Sequence, residues 1–338
     1  MRGRVSNMQK FKINQACIFL GKKCNLSCKY CYNNNKASYI KSMTKKQISQ
    51  IIDFLLNNCG DTIWISFSGG EPFVYPQLVQ YTVDLCKKAN KKVYFNVTTN
   101  GTILNKKLID SLINNNTYFC VSLDGDKQAQ NESRNDSYEK TIKFIKYLKD
   151  KDYAKLRVRM TIQPNASKRL YKNVEHINHL GINEIHFAPN YEAKWTNLQI
   201  KYFFEQVKRL SETDINIEPI QKFREFKKPF KIKKGAYEHE CGLLLTFAPD
   251  GNIYPCPRLV FEKSCTISNK LSASSILLGI AEWSELLQTA RNKIKSNFFC
   301  LANNIKIKHN SCITLPIFKK FEEGNNAVFN PRLVKKKD

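Results

Sequence analysis

From residue 12 onward, apolar runs of strand length alternate with longer segments of helical character, and the alternation continues to about residue 210. Strands separated by helices lie parallel, because each crossover returns the chain to the edge from which it started. The fold class is therefore α/β. The spacing predicts strands over 13–19, 63–67, 93–97, 118–123, 157–162 and 184–188. It predicts helices over 45–57, 77–89, 106–114, 138–149, 170–180 and 198–210. Thr44 and Gln47 occupy the N-cap and N3 positions of the first helix, where they satisfy free backbone donors reciprocally. At 338 residues there is room for a curled sheet unit over 1–211, a basic connector over 212–240 and a smaller unit over 241–338.

Chemistry-bearing residues follow the predicted strands. After the first come Cys24, Cys28 and Cys31 at C-x3-C-x2-C spacing, with Tyr30 and Tyr32 on either side of the last. Thiolates are the usual ligands of iron–sulfur clusters, and three of them leave one corner of a four-iron cube open. An open coordination position marks a metal centre built for chemistry. On the triplet alone, a zinc knot that borrows a distant fourth ligand is the alternative. After the second strand comes Ser68-Gly69-Gly70-Glu71-Pro72, whose glycines permit close backbone approach and whose Glu71 places an acceptor at the strand end. Thr98-Thr99-Asn100-Gly101 closes the third strand and Val121-Ser122-Leu123-Asp124-Gly125 the fourth, with Arg134 beyond.

In this order and spacing, these segments resemble the radical S-adenosylmethionine enzymes over residues 1–190. The resemblance implies a partial (β/α)6 TIM-like barrel with its catalytic groups at the C-terminal strand ends. It implies that Cys24, Cys28 and Cys31 hold a [4Fe-4S] cluster whose open iron is chelated by the amino and carboxylate groups of S-adenosylmethionine. Gly69, Gly70 and Glu71 would receive the methionine amino group, Ser122 and Arg134 the carboxylate and ribose side, and Tyr30 would lie against the adenine. An external donor of flavodoxin or ferredoxin type would supply the electron. The 5′-deoxyadenosyl radical then formed would take a hydrogen atom from substrate, the cofactor carrying the hard chemistry.

A second cysteine group follows the connector. Cys241, Gly251 and Cys256 form C-x9-G-x4-C around a Pro249-Asp250-Gly251-Asn252 hairpin signal. This resembles the opening of the SPASM or twitch extension, the auxiliary-cluster region of α+β character in peptide-modifying members. No C-x2-C occurs after Cys31, so one auxiliary [4Fe-4S] cluster is expected, on Cys241, Cys256, Cys300 and Cys312. Cys265 remains open between a spare ligand, a buried thiol and a hydrogen-atom donor. Cys17, Cys59, Cys86 and Cys120 read as small buried apolar residues. His186 reads as a core or mouth residue.

Composition places the protein in the cytoplasm. No apolar stretch is long enough to span a bilayer, no secretory h-region follows the basic N-terminus, and twelve cysteines in a reducing compartment argue for metal over disulfides. The net charge of +26 draws acidic partners, although charged runs are also ordinary solvated surface. The runs over 222–234 and 332–337 contribute, the first interleaved with Phe223, Phe226 and Phe230 as a nucleic-acid surface also is.

The favoured reading is a peptide maturase that installs a crosslink or thioether or inverts a centre in a ribosomally made peptide, with an acidic peptide or small protein as substrate and no membrane partner. Anaerobic sulfatase maturases, which make formylglycine, are the nearest alternative. In those an aspartate expected to be the general base follows the Pro-Cys element, and here Pro257 follows Cys256. Thr98 also stands where glutamine commonly opens that segment. Many peptide maturases carry a leader-binding domain of about one hundred residues that this chain is expected to lack. A tRNA-modifying or RNA-binding iron–sulfur protein is the competing class.

Overall fold

The computed structural model describes residues 14–33, 41–190, 193–217, 244–261, 266–272, 274–276 and 278–279. The chain runs β1 (Gln15–Phe19), α1 (Lys45–Asn58), β2 (Thr62–Ser68), α2 (Pro76–Lys87), β3 (Lys92–Thr99), α3 (Lys106–Ile113) and β4 (Thr117–Ser122). It continues through α4 (Lys127–Arg134), α5 (Tyr138–Lys149), β5 (Leu156–Ile162), α6 (Leu170–His179), β6 (Ile185–Pro189) and α7 (Asn197–Ser211), then β7 (Leu245–Phe247) and β8 (Ile253–Tyr254). Strands β1 to β6 lie side by side in sequence order, each parallel to the next. This is the α/β arrangement of a partial barrel.

One face of each strand decides where the helices go. Ile63, Ile65 and Phe67 of β2, Phe95 and Val97 of β3, and Val158 and Met160 of β5 are buried in one core with Ile48, Ile52 and Leu55 of α1 and Phe144 and Leu148 of α5. Each such side chain contributes about 1.5–3 kcal/mol when fully buried, so a strand shifted by one residue would forfeit its whole set. The intervening residues, among them Ser66, Asn96, Ser122 and Arg159, stay partly or largely exposed on the opposite, concave face. The capping box foreseen for α1 is present, Thr44 Oγ1 accepting from the Gln47 N–H at 3.2 Å and Gln47 Oε1 accepting from the Thr44 N–H at 2.9 Å. Thr196 and Gln199 repeat it at α7.

Two features depart from the expected alternation. Helix α4 was not foreseen because its buried face, Ala129, Gln130, Ser133 and Arg134, is nearly all polar and leaves no apolar period to read. Asp126 caps it by accepting from the Ala129 N–H at 2.9 Å. The second is β7, only three residues long, which pairs parallel to the free edge of β1. The hairpin read from Pro249-Asp250-Gly251-Asn252 follows it: Thr246 and Phe247 face Tyr254 and Ile253 in antiparallel register. Gly251 supplies the positive φ of +83°.

Cys241, Cys265, Cys300 and Cys312 lie outside the described residues, as do the basic runs over 222–234 and 332–337. Among the described residues, no helix is long and apolar enough to cross a membrane.

Candidate active site at the strand ends

The loop that leaves β1 and the turn that leaves β2 are laid against each other backbone to backbone. Leu20 N–H donates to the Ser68 carbonyl at 2.9 Å, Gly70 N–H to the Gly21 carbonyl at 2.8 Å, and Glu71 N–H to the Lys23 carbonyl at 3.1 Å. A Cβ on Gly70 would meet the carbonyl oxygens of Lys22 and Lys23 at 2.3 and 2.4 Å, so only glycine admits this contact. Asn33 adds a side-chain tie, Nδ2 donating to the Gly69 carbonyl at 3.0 Å, while its own Oδ1 is buried without a hydrogen-bond partner.

The cysteine triplet sits on that seat. Cys28 is buried and Cys24 and Cys31 are partly so, with the Cys31 N–H closing a turn onto the Cys28 carbonyl at 3.1 Å. The Cys24 sulfur accepts from the Leu26 N–H at 3.4 Å and from Asn100 Nδ2 at 3.8 Å. Burial pushes the Cys28 thiol up to about 11 and raises Cys24, and the mutual charge of the three cysteines adds to both. Such thiols ionise only against strong positive charge, which a bound metal group provides. Among the described residues, no three His, Cys, Asp or Glu side chains close around a single ion. A donor set of three mutually interacting thiols, with amide donors aimed at one sulfur, fits a multi-iron cluster and its sulfur ligands.

Glu71 is turned inward. Its carboxylate accepts from Thr99 Oγ1 at 2.7 Å, from the Asn100 N–H at 2.7 Å and from the Phe73 N–H at 3.1 Å, and it is 1% exposed. Burial outweighs these bonds and lifts its pKa from 4.5 to about 7. The carboxylate thus welds the end of β2 to the end of β3.

A second brace crosses the mouth from the cysteine loop to β5. Tyr30 donates its hydroxyl to Asp124 Oδ2, Arg134 donates Nε to the same oxygen at 3.0 Å, and the Thr161 N–H donates to Oδ1 at 2.8 Å. The Arg134 guanidinium also lies 5.0 Å from the centre of the Tyr30 ring. Burial and the neighbouring Asp124 carboxylate raise the Tyr30 phenol well above its ordinary range. The Lys29 N–H donates to the Ser133 carbonyl at 3.1 Å, which seats α4 on the same loop.

The structure therefore brings Cys24, Cys28, Cys31, Tyr30, Gly69, Gly70, Glu71, Ser122 and Arg134 to one end of the sheet. Asn33, Thr99, Asn100 and Asp124 act there as well, of which Asn33 carried no signal in the sequence. Cys17, Cys59, Cys86 and Cys120 are buried as expected. Burial and, next, the charge of the nearby Cys256 push the Cys17 thiol up to about 12. His186 is half-buried, its Nε2 lying 3.0 Å from Glu184 Oε1.

An uncharacterized protein of Methanocaldococcus jannaschii is 36% identical over 105 residues, which is 30% of this chain and 36% of that protein. A cysteine-type anaerobic sulfatase-maturating enzyme of Clostridium novyi is 26% identical over 163 residues, 44% of this chain and 43% of that enzyme. The chain thus spans less than half the length of these two curated relatives. In fold it is similar to native anSMEcpe with bound AdoMet, with a TM-score of 0.75 and 18% identity over 94% of this chain and 97% of that one. It is also similar to Streptococcus suis SuiB bound to S-adenosylmethionine, with a TM-score of 0.66 and 17% identity over 94% and 80% of the two chains. Residues 18–187 match the Radical SAM superfamily, half of the sequence and every strand end just described, and the chain belongs to that superfamily.

Proposed function

We propose that this protein is a peptide-modifying radical S-adenosylmethionine enzyme, and the backbone contact between the cysteine loop and the Gly69-Gly70 turn is the observation that carries the reading. When bound, the cluster and S-adenosylmethionine supply a 5′-deoxyadenosyl radical able to take a hydrogen atom from an unactivated carbon. The protein's part is to hold and exclude. Cys24, Cys28 and Cys31 would hold the cluster, the Gly69 and Gly70 backbone would receive the methionine ammonium while the buried Glu71 carboxylate fixes that turn from within, and Ser122 would face the carboxylate. Tyr30 and Arg134 act as the wall of the site, since their polar ends are taken by Asp124.

A peptide substrate is supported by two proteins of similar fold solved with peptides, anSMEcpe with Kp18Cys peptide and SuiB with precursor peptide SuiA. Formylglycine formation is the second reading, favoured by the identity to sulfatase-maturating enzymes. Pro257 after Cys256 weighs against it, because it leaves no titratable group at that place. One auxiliary [4Fe-4S] cluster on Cys241, Cys256, Cys300 and Cys312, in a unit over 241–338 reached through the 212–240 connector, completes the proposal. Work in the cytoplasm with a flavodoxin- or ferredoxin-type donor belongs to it too.

The test is anaerobic reconstitution with dithionite and S-adenosylmethionine. Release of 5′-deoxyadenosine by the parent and its loss in Cys28→Ala support the enzyme; equal release by both sinks it. Peptides from neighbouring short reading frames and a sulfatase peptide, offered in parallel, decide between the two substrates.

A further inference from the structure

Asn100 follows directly on β3, is 6% exposed, and has every polar atom engaged. Its N–H donates to Glu71 Oε2 at 2.7 Å, and its carbonyl accepts from Thr141 Oγ1 at 3.0 Å. The side-chain Oδ1 accepts from the Thr102 N–H at 2.9 Å and from Thr102 Oγ1 at 2.7 Å. A backbone N–H can only donate, so the amide oxygen faces Thr102 and the Nδ2 group faces away. There it meets Asn25 Oδ1 at 3.0 Å and the Cys24 sulfur at 3.8 Å.

Three of these bonds close a ring. Because Asn100 Nδ2 donates to Asn25 Oδ1, the Asn25 Nδ2 group is left to donate to Thr102 Oγ1, which it does at 2.7 Å. The Thr102 hydroxyl then passes its own hydrogen to Asn100 Oδ1. Bonds in such a circuit polarise one another. The ring uses one Nδ2 hydrogen of Asn100, and the second is aimed at Cys24. The Leu26 N–H also reaches that sulfur, at 3.4 Å, but it belongs to the cysteine loop itself. Asn100 belongs to another strand end, so its donor is an addition that the loop does not require.

We propose that Asn100, locked by Asn25 and Thr102, eases reduction of the cluster held by Cys24. This rests on the enzymatic reading above and concerns its first step, in which an external donor loses one electron and the cluster gains it. The added electron places more negative charge on the ligand sulfurs, and an N–H aimed at one of them is worth more after the transfer than before. Asn100 acts through the Cys24 sulfur, as a positioning residue. Its burial keeps water from replacing the donor or screening it.

The experiment is an anaerobic redox titration of reconstituted parent, Thr102→Val, Asn100→Leu and Asn100→Asp, each checked by iron content and circular dichroism. The signal followed by electron paramagnetic resonance is the one that shifts when S-adenosylmethionine is added. Asn100→Leu keeps the bulk and removes the donor, and its reduction equilibrium should be about tenfold less favourable, a midpoint lower by about 59 mV for a one-electron couple. Asn100→Asp sets an oxygen where the donor was and should fall further. Thr102→Val leaves the orienting backbone N–H but opens the ring, and should fall by less than Asn100→Leu. An unchanged midpoint in Asn100→Leu and Asn100→Asp overturns the proposal. So does an equal fall in any second iron–sulfur signal, which marks a general disturbance, and so does loss of iron from all three variants, which assigns the ring to holding the loop alone. A parent with no iron–sulfur signal that responds to S-adenosylmethionine defeats the enzymatic reading itself, and the tuning with it.

Discussion

Arg134 grips Asp124 through two nitrogens, Nε to Oδ2 at 3.0 Å and Nη2 to Oδ1 at 3.3 Å, and so joins the end of α4 to the segment just beyond β4. Both side chains are nearly out of solvent, at 10% and 3% exposure. Removing one charge of such a pair strands the other. Asp124→Asn keeps the shape and should destabilise the protein by about 3–5 kcal/mol, read from urea unfolding. A loss under about 1 kcal/mol, the value of an exposed pair, would show that the brace is not structural.

Gly70→Ala places a methyl group inside contact distance of two carbonyl oxygens. Overpacking of this kind costs about 1–3 kcal/mol, and here it parts the two loops that form the seat. Iron retained after reconstitution and desalting should fall well below that of the parent. Full retention together with an unchanged unfolding midpoint contradicts the geometry.

Glu71 gives a pH dependence of unusual sign. Its folded pKa is raised from 4.5 to about 7, so between those values the folded chain binds a proton that the unfolded chain has released. Stability therefore falls as pH rises through this window, by about 3 kcal/mol in all. Glu71→Gln should flatten that fall in urea midpoints measured from pH 5 to pH 8. If parent and variant run parallel, Glu71 is not the group responsible.

Iron counting separates one cluster from two. Anaerobic reconstitution should give about eight irons per chain, and Cys28→Ala about four, if the auxiliary centre is of the four-iron type. About four in the parent would leave Cys256 without a cluster.

Much of the sheet was legible because its signal is periodic. Ile63, Ile65 and Phe67 announce a strand by alternation, and Thr44 with Gln47 announces the helix before it. The cysteine triplet and the Gly69-Gly70 turn were legible for another reason, since chemistry restricts those positions to one residue type. Helix α4 escaped because polar side chains such as Gln130 and Arg134 line its buried side, where each meets a partner that sequence does not show. Arg134 itself illustrates the limit. Its position in the motif was plain, but its engagement by Asp124 depends on two elements folding onto one another.

The seat beneath the cysteines is made where main chain meets main chain, from Gly21 and Lys23 against Gly70 and Glu71. Amide geometry is common to every residue, so substitutions elsewhere in the barrel can redraw its inner wall and select a new substrate without disturbing the place where the radical is born. Versatility in what is modified and constancy in how the reaction begins then have one origin, a contact that only the loss of a glycine would undo.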